Sequence, residues 1–291
     1  MRLFRGDRIA AIVMLGLPLV FELVWVMWPA LQSIGISTLR WNGTSEPTFI
    51  GGENFENLLS DPLFLTAITN NAKWLLGFGI LSVLGGLALA LALHEQIKGW
   101  KIYRTAFFAP IAISFVVTGF VWKWMFAPTG VINTGLDSFG LEHLVTNWLG
   151  EEDVALWSIV IAATWRQVGY IMILFLAGLK AVDLSTVEAA TVDGANYWQR
   201  LRNVVLPALA PSTATVVAVT VIDSMRTFDI VWSMTQGGPF NTTQVLSTLM
   251  WREAFGNYNL GYASAIAVII LLLTLVFVII YLLRAIPKEA K

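Results

Sequence analysis

The chain has no cysteine among its 291 residues. Disulfides, thiol catalysis and cysteine-ligated metals are thereby excluded. Histidine is almost as scarce: His94 and His143 stand far apart, so no imidazole metal site is expected. Charge is the third shortage. Only 13% of residues are charged, against roughly a quarter in a soluble domain, too few to cover a water-facing surface. The 18 basic and 19 acidic residues nearly cancel, leaving no basic face of the kind that nucleic acid requires. A Gly-x4-Gly-Lys-Ser/Thr loop is also missing, so the chain is not expected to bind or hydrolyse ATP itself.

What the chain has is apolar sequence, 57% of the whole. Crossing a bilayer as a helix takes about 20 such residues. Six segments qualify, at roughly 9–33, 68–93, 105–127, 154–179, 207–232 and 260–283. The expected fold is all-α: a single polytopic membrane domain over 1–291, with six spans. The first apolar run, Ile9 to about Ile34, is too long for a signal peptide and has no small-residue cleavage site, so it reads as an uncleaved span. Ser82, Gly86 and Ala90 in the second span have the spacing that lets helix backbones approach closely. Trp25, Trp28, Trp122, Trp124, Trp148 and Trp157 lie mostly near span ends, as an interfacial belt would.

Lys and Arg orient the spans. Arg2, Arg5, Arg8, Lys98, Lys101, Arg104, Lys180, Arg200, Arg202, Arg284, Lys288 and Lys291 fall on one side; only Arg40 and Arg252 fall on the other. The positive-inside bias places both termini and the fourth connection in the cytoplasm. The third connection, with Asp137, Glu142, Glu151, Glu152 and Asp153 and no Lys or Arg, faces out.

The fourth connection, 181–206, carries the most local information. Ser185 and Glu188 have capping-box spacing, which predicts a short helix from about Thr186 to Asp193. Gly194 suits its left-handed stop. Asn196 with Gln199 caps a second helix, whose Tyr197, Trp198, Leu201, Val204 and Val205 form an apolar stripe. Pro207 fits the first turn of the next span. Ala189 and Ala190 would let a partner surface approach closely. The same loop would also serve as an ordinary amphipathic connector.

Glu188-Ala189-Ala190, Gly194 four residues after Ala190, and Leu206-Pro207 resemble the EAA motif of ABC importer permeases. Thr164-Trp165-Arg166-Gln167-Val168-Gly169-Tyr170 and Phe175-Leu176-Ala177-Gly178-Leu179 resemble the fourth core span of the sugar-importing branch. Phe228-Asp229 and Thr235-Gln236-Gly237-Gly238-Pro239 resemble the end of its fifth span, and Phe49-Ile50-Gly51 with Asn54-Phe55 its first outer loop. The likeness covers nearly the whole chain and is nearest to MalF-like carbohydrate permeases. It implies a type I ABC importer permease fold in a bacterial or archaeal cytoplasmic (inner) membrane. It also implies a second, MalG-like permease subunit, two ATP-binding subunits that hold the ATP, an extracytoplasmic solute-binding protein and a sugar substrate. In that family the EAA helix sits in a cleft of the ATPase, a role that would fall here to Glu188, Ala189, Ala190, Asp193 and Gly194.

Ionisable groups at bilayer depth are costly and usually face a cavity or a partner. Lys73 and Lys123 are near enough to span ends to snorkel. Glu22, in the first span, is expected to pair with a basic residue of a neighbouring helix. In the fifth span Thr213, Thr220, Ser224 and Thr227 form a hydroxyl stripe flanked by Asp223; in the fourth, Arg166, Gln167 and Tyr170 adjoin. A sugar site needs such donors and acceptors with an aromatic face. The substrate-binding candidates are therefore Arg166, Gln167, Tyr170, Thr220, Asp223, Ser224 and Thr227. Structural ion pairs of Arg166 or Arg226 with Asp223 or Asp229 are the competing account. An unpaired Arg166 would suit an anionic glycoside and a paired one a neutral sugar. A stand-alone, ion-coupled secondary sugar carrier is the alternative function. The internal repeats frequent in such carriers are not seen, and the intramembrane charges argue against a mere scaffold.

Overall fold

The computed structural model describes residues 5–94 and 98–285, and side chains within 13–94 and 98–283. Arg2, Lys288 and Lys291 of the charge bias lie outside these residues, as do the side chains of Arg5, Arg8 and Arg284. The chain begins with α1 (Arg5–Glu22), a π turn (Leu23–Met27) and α2 (Trp28–Ile36). A hairpin of β1 (Leu39–Arg40) and β2 (Thr48–Phe49) and then α3 (Glu53–Ser60) follow. Next come α4 (Pro62–His94), α5 (Trp100–Phe108), α6 (Phe115–Met125), α7 (Val131–Ser138) and α8 (Glu152–Lys180). The fourth connection holds α9 (Leu184–Val192) and α10 (Tyr197–Arg200), and leads to α11 (Leu206–Ala208) and α12 (Ala210–Met225). The chain continues through α13 (Asp229–Met234), α14 (Leu246–Trp251) and α15 (Leu260–Ala285).

Among the described residues, four helical stretches are long and apolar enough to cross a membrane: Val13–Ile36, Pro62–His94, Glu152–Lys180 and Leu260–Leu283. The expected third and fifth spans are not straight helices. Trp100–Ala112 and Phe115–Met125 meet at 104°, and Tyr197–Ala208 and Ala210–Met225 at 66°; counting each bent pair once gives six spans. The first break follows from Pro110, which starts a 3-10 turn (Ala109–Ala112), and from Ser114, which turns extended and caps α6 by accepting the Val117 N–H. In the fifth span Pro207 and Pro211 sit at the starts of α11 and α12, and the helix stops at Met225, short of the expected 232. Proline in a helix interior removes a hydrogen bond and clashes with the preceding turn, so bends collect there.

The contacts form two compact units, one of residues up to Asp61 with Met250–Ile269, the other of Pro62–Leu249 with Ile270 onward. In the first unit, Asn54 Nδ2 donates to the carbonyls of Ser37 (2.8 Å) and Leu39 (2.9 Å), which ties α3 to the hairpin. Arg40 bonds Glu53 at 2.5 Å, and the Tyr262 hydroxyl donates to Asp61 at 2.6 Å. The span Val13–Ile36 has no buried residue within the chain. Glu22 is exposed on it, and among the described residues it forms no ion pair, so the expected basic partner is not found among them.

The second unit is built on α4 packed against α8. The small-residue pattern is the reason: Ser82, Gly86 and Ala90 are buried, and a Cβ at Gly86 would stand 2.5 Å from Ile171 Cγ2. α4 has 33 residues and so runs about 50 Å, beyond the ~30 Å hydrocarbon thickness. Two apolar clusters fill the unit. Trp74, Phe78, Ile159, Val160, Ile230 and Met234 belong to one; Ala90, Met172, Phe175, Leu209 and Val216 belong to the other. Trp122 and Trp148 pack against the first cluster instead of forming a belt. Trp148 Nε1 donates to Asn133 at 2.7 Å. α12 lies against both α4 and α8.

Candidate functional site

Two features of the second unit carry the residues singled out above: the elbow of the fourth connection and a cavity at the far end of α12. In the elbow, α9 starts two residues earlier than expected, because Asp183 and not Ser185 is the cap. Asp183 accepts both the Ser185 N–H and the Ser185 hydroxyl, each at 2.9 Å. These two bonds, the backbone one foremost, hold the Asp183 carboxyl below its ordinary range. The serine hydroxyl is thus consumed as a donor, and Glu188 stays free on the surface with Ala189, Asp193 and Gly194. Val192 is 88% exposed on the same helix.

The stop is as expected. Gly194 has φ +82. Its N–H bonds Thr191 O at 3.1 Å, and the Ala195 N–H bonds Ala190 O at 3.0 Å, the paired bonds of a Schellman turn. Asn196 and Gln199 form the reciprocal capping box, at 2.9 and 2.8 Å. Arg200 Nη1 reaches back to Ala195 O at 3.0 Å and braces the turn. Tyr197, Leu201 and Val205 line a pocket of about 150 Å³ with Leu91, His94 and Leu179, so the elbow stands on the ends of α4 and α8. Trp198 leaves the expected stripe and is 74% exposed. A π turn, Leu201–Val205, then carries the helix into α11. Asp183 was legible as an aspartate before an apolar run; Arg200 gave no signal.

The cavity holds about 170 Å³ and is lined by Trp74, Phe78, Phe115, Asp223, Arg226, Thr227, Phe228, Asp229 and Ile230. Asp223 accepts from Gln167 Nε2 at 3.2 Å, which fixes α12 to α8. The Thr227 hydroxyl donates to Asp223 O at 3.2 Å, and Ser247 donates to the Thr227 carbonyl. Phe228 stacks on Trp232 with centroids 5.6 Å apart.

Of the seven expected substrate contacts, Asp223 and Thr227 line this cavity and Gln167 touches it through Asp223. Thr220 and Ser224 are 2% and 0% exposed, and their hydroxyls bond Val216 O and Thr220 O within their own helix. Thr220 lies beside Gly79 of α4, and Asn71 Nδ2, also on α4, meets the Ser224 carbonyl at 3.5 Å. Tyr170 packs on the second apolar cluster. Arg166 donates through Nε to Ile113 O (2.6 Å) and through Nη2 to Ile111 O (3.2 Å), with its guanidinium 4.0 Å from the Phe115 ring centre. Among the described residues no ion pair joins Arg166 or Arg226 to Asp223 or Asp229.

Phe115, Phe228 and the paired Asn70 and Asn71 were missed. Asn70 Nδ2 donates to the carbonyls of Thr242 (2.7 Å) and Gln244 (2.9 Å), and Asn71 Oδ1 accepts the Leu246 N–H (2.8 Å). Two adjacent asparagines in an apolar span were the available signal. No group of three or more His, Asp or Glu suited to a metal occurs among the described residues.

Residues 82–289 match the binding-protein-dependent transport system inner membrane component family. A probable ABC transporter permease protein of Pyrococcus horikoshii is 37% identical over 94% of this chain and 92% of its own. A probable starch degradation products transport system permease protein, AmyD of Thermoanaerobacterium thermosulfurigenes, is 32% identical over 92% and 91%. A bacterial ABC transporter involved in the import of the acidic polysaccharide alginate superposes with a TM-score of 0.83, covering 99% of this chain and 98% of that one at 21% identity. These findings set aside the ion-coupled carrier. The chain is a multi-pass protein with the type I ABC importer permease fold, and it belongs to the binding-protein-dependent transport system inner membrane components.

Proposed function

We propose that this permease carries a sugar or glycoside and is driven by two ATP-binding subunits that dock on α9, with a second, similar permease completing the pathway. An extracytoplasmic solute-binding protein delivers the substrate. Both termini and the elbow face the cytoplasm, and ATP is bound only by the partner subunits. The observation that carries the reading is the design of the elbow. α9 presents Glu188, Ala189 and Val192 to the outside, while a glycine turn, a capping box and Arg200 make its junction with α10 rigid. From α10 the chain is helical to Ala208, bends by 66° at Leu209, and continues through α12 to Met225. Movement of α9 is therefore delivered along ~24 Å of α12 to Asp223 and Thr227 at the cavity.

The cavity supports a saccharide of neutral charge. Carboxylates accept hydrogen bonds from sugar hydroxyls, and aromatic faces such as Phe115 and Phe228 suit the apolar side of a ring. Arg166 is committed to two backbone carbonyls, so the charges left at the cavity wall are Asp223, Asp229 and Arg226, one negative in net. An anionic sugar would meet repulsion there. The test is ATP-driven uptake by the reconstituted complex with its binding protein. Uptake of a neutral oligosaccharide is expected, with Asp223→Ala raising KM at unchanged assembly. Preferred uptake of a uronate, or an Asp223→Ala complex with unaltered KM, would contradict the assignment.

A further inference from the structure

The bend in the third span exposes a problem that one side chain, Arg166, answers twice. At bilayer depth every backbone carbonyl needs a partner, and a broken helix leaves its last ones without. After the 3-10 turn, Ile113 is extended (φ −88, ψ 135) and its N–H returns to Pro110 O. The carbonyls of Ile111 and Ile113 then point away from any helix ladder. Both are taken by Arg166, two charge-assisted bonds from one planar fork. Phe115, the first residue after the break, lies over the same guanidinium and also walls the cavity. One turn further along α8, Gly169 has no side chain; a Cβ there would collide with Phe107 O and stand 3.0 Å from Phe108 Cα. α8 therefore receives the α5–α6 corner at Gly169 and fastens it at Arg166, while the adjacent Gln167 fastens α12.

We infer that Arg166 is a positioning residue that latches the α5–α6 corner onto α8 and thereby sets Phe115 on the cavity wall. The chemistry favours arginine over lysine. A guanidinium offers parallel donors to two carbonyls and a flat face to the ring at once; an ammonium is a point charge that can serve one carbonyl well. Charge-assisted bonds of this kind are about twice as strong as neutral ones, and the stacked ring adds a cation–π contact. The inference holds whatever the cavity binds, because none of its contacts involves a ligand.

The absence of cysteine makes the test direct. Cysteines replacing the exposed Tyr103 on α5 and Trp124 on α6 would carry spin labels. The complete reconstituted complex, with cysteine-free partner subunits, would give the distance across the corner. A second pair, at Ile80 on α4 and Ile161 on α8, reports on the helices that form the support. The native chain should give one narrow distance at each pair. Arg166→Gln should lose the narrow distance at the corner and keep it at the control pair. Arg166→Lys, the fallback if the glutamine variant fails to assemble, should broaden the corner distance about the native position. Phe115→Leu should leave the corner distance in place, since both carbonyl bonds survive, while ATP-driven uptake falls. A native corner distance in Arg166→Gln, or in Arg166→Lys where glutamine does not assemble, would overturn the inference. So would equal loss at both label pairs, which would mean a general loss of packing instead of a released latch.

Discussion

Replacing Gly194 isolates the backbone's part in coupling from that of side chains. The residue sits at φ +82, and a Cβ there would meet nothing within 4 Å. Substitution therefore costs conformational energy without a clash inside the chain. An L-residue in the left-handed region costs roughly 1–2 kcal/mol, so Gly194→Ala should lower the ratio of closed to open elbows by about 5- to 30-fold. Opening forfeits the Gly194–Thr191 and Ala195–Ala190 bonds together. Asparagine tolerates this region, and a β-branched residue is a true outlier there. The expected order of ATP-driven uptake is Gly, then Asn, then Ala, then Val, with ATP hydrolysed per sugar transported rising in the same order. The assay is uptake and ATPase turnover in reconstituted vesicles at matched complex content. Native transport by the valine variant would refute the reasoning. An asparagine variant as poor as valine would also refute it, because space against the partner, and not the backbone, would then set the effect.

Other outcomes follow from equally local geometry. Gly169→Ala should prevent recovery of folded protein in detergent, since the obstacle is the Phe107 backbone and overpacking already costs about 1–3 kcal/mol where side chains can move; Gly16→Ala, with nothing within 4 Å, should behave as the native chain. Asn70→Ala leaves one buried and one partly buried carbonyl without their donor and should destabilise the solubilised protein by roughly 1–3 kcal/mol, read as a lower unfolding midpoint. Asp183 should give the elbow a one-sided pH response. Its folded carboxyl is held below the ordinary range, so its cap contributes fully above the ordinary carboxylate pKa and is lost as pH falls through the depressed value. Uptake in Asp183→Asn, which still caps, should lack that acid limb, measured as uptake against internal pH.

The uninterrupted spans were legible because run length alone defines them: 154–179 was expected and Glu152–Lys180 is found. The broken spans were not. Hydropathy averages over Pro110–Ser114 and over the bend at Leu209, and a turn of mostly apolar residues looks like a helix of apolar residues. The elbow was readable to within two residues, since Gly194, Asn196 and Gln199 act on neighbours in sequence. Its brace, Arg200 on Ala195 O, is one arginine among several and carries no mark. In the cavity, spacing showed that Thr220, Ser224 and Thr227 share a face; it could not show that Thr220 and Ser224 are buried and only Thr227 reaches the cavity. Arg166 was expected at a ligand or a carboxylate because sequence displays charged partners and hides backbone carbonyls. Asn70 and Asn71 went unread for a related reason: attention to ionisable groups passes over amides.

The proposed docking of an ATPase on α9 can be tested directly. A single cysteine at Val192 is the most direct probe, being strongly exposed on α9 in a chain that has no other cysteine. A cysteine at Phe139, exposed just after α7 and on the expected outer side, is its control. Short-reach crosslinking in native membranes, followed by identification of the adduct, should join position 192 to an ATP-binding subunit, more strongly in one nucleotide state than in another, and should join position 139 to no such subunit. No ATPase adduct at 192, or one at 139, would contradict the account.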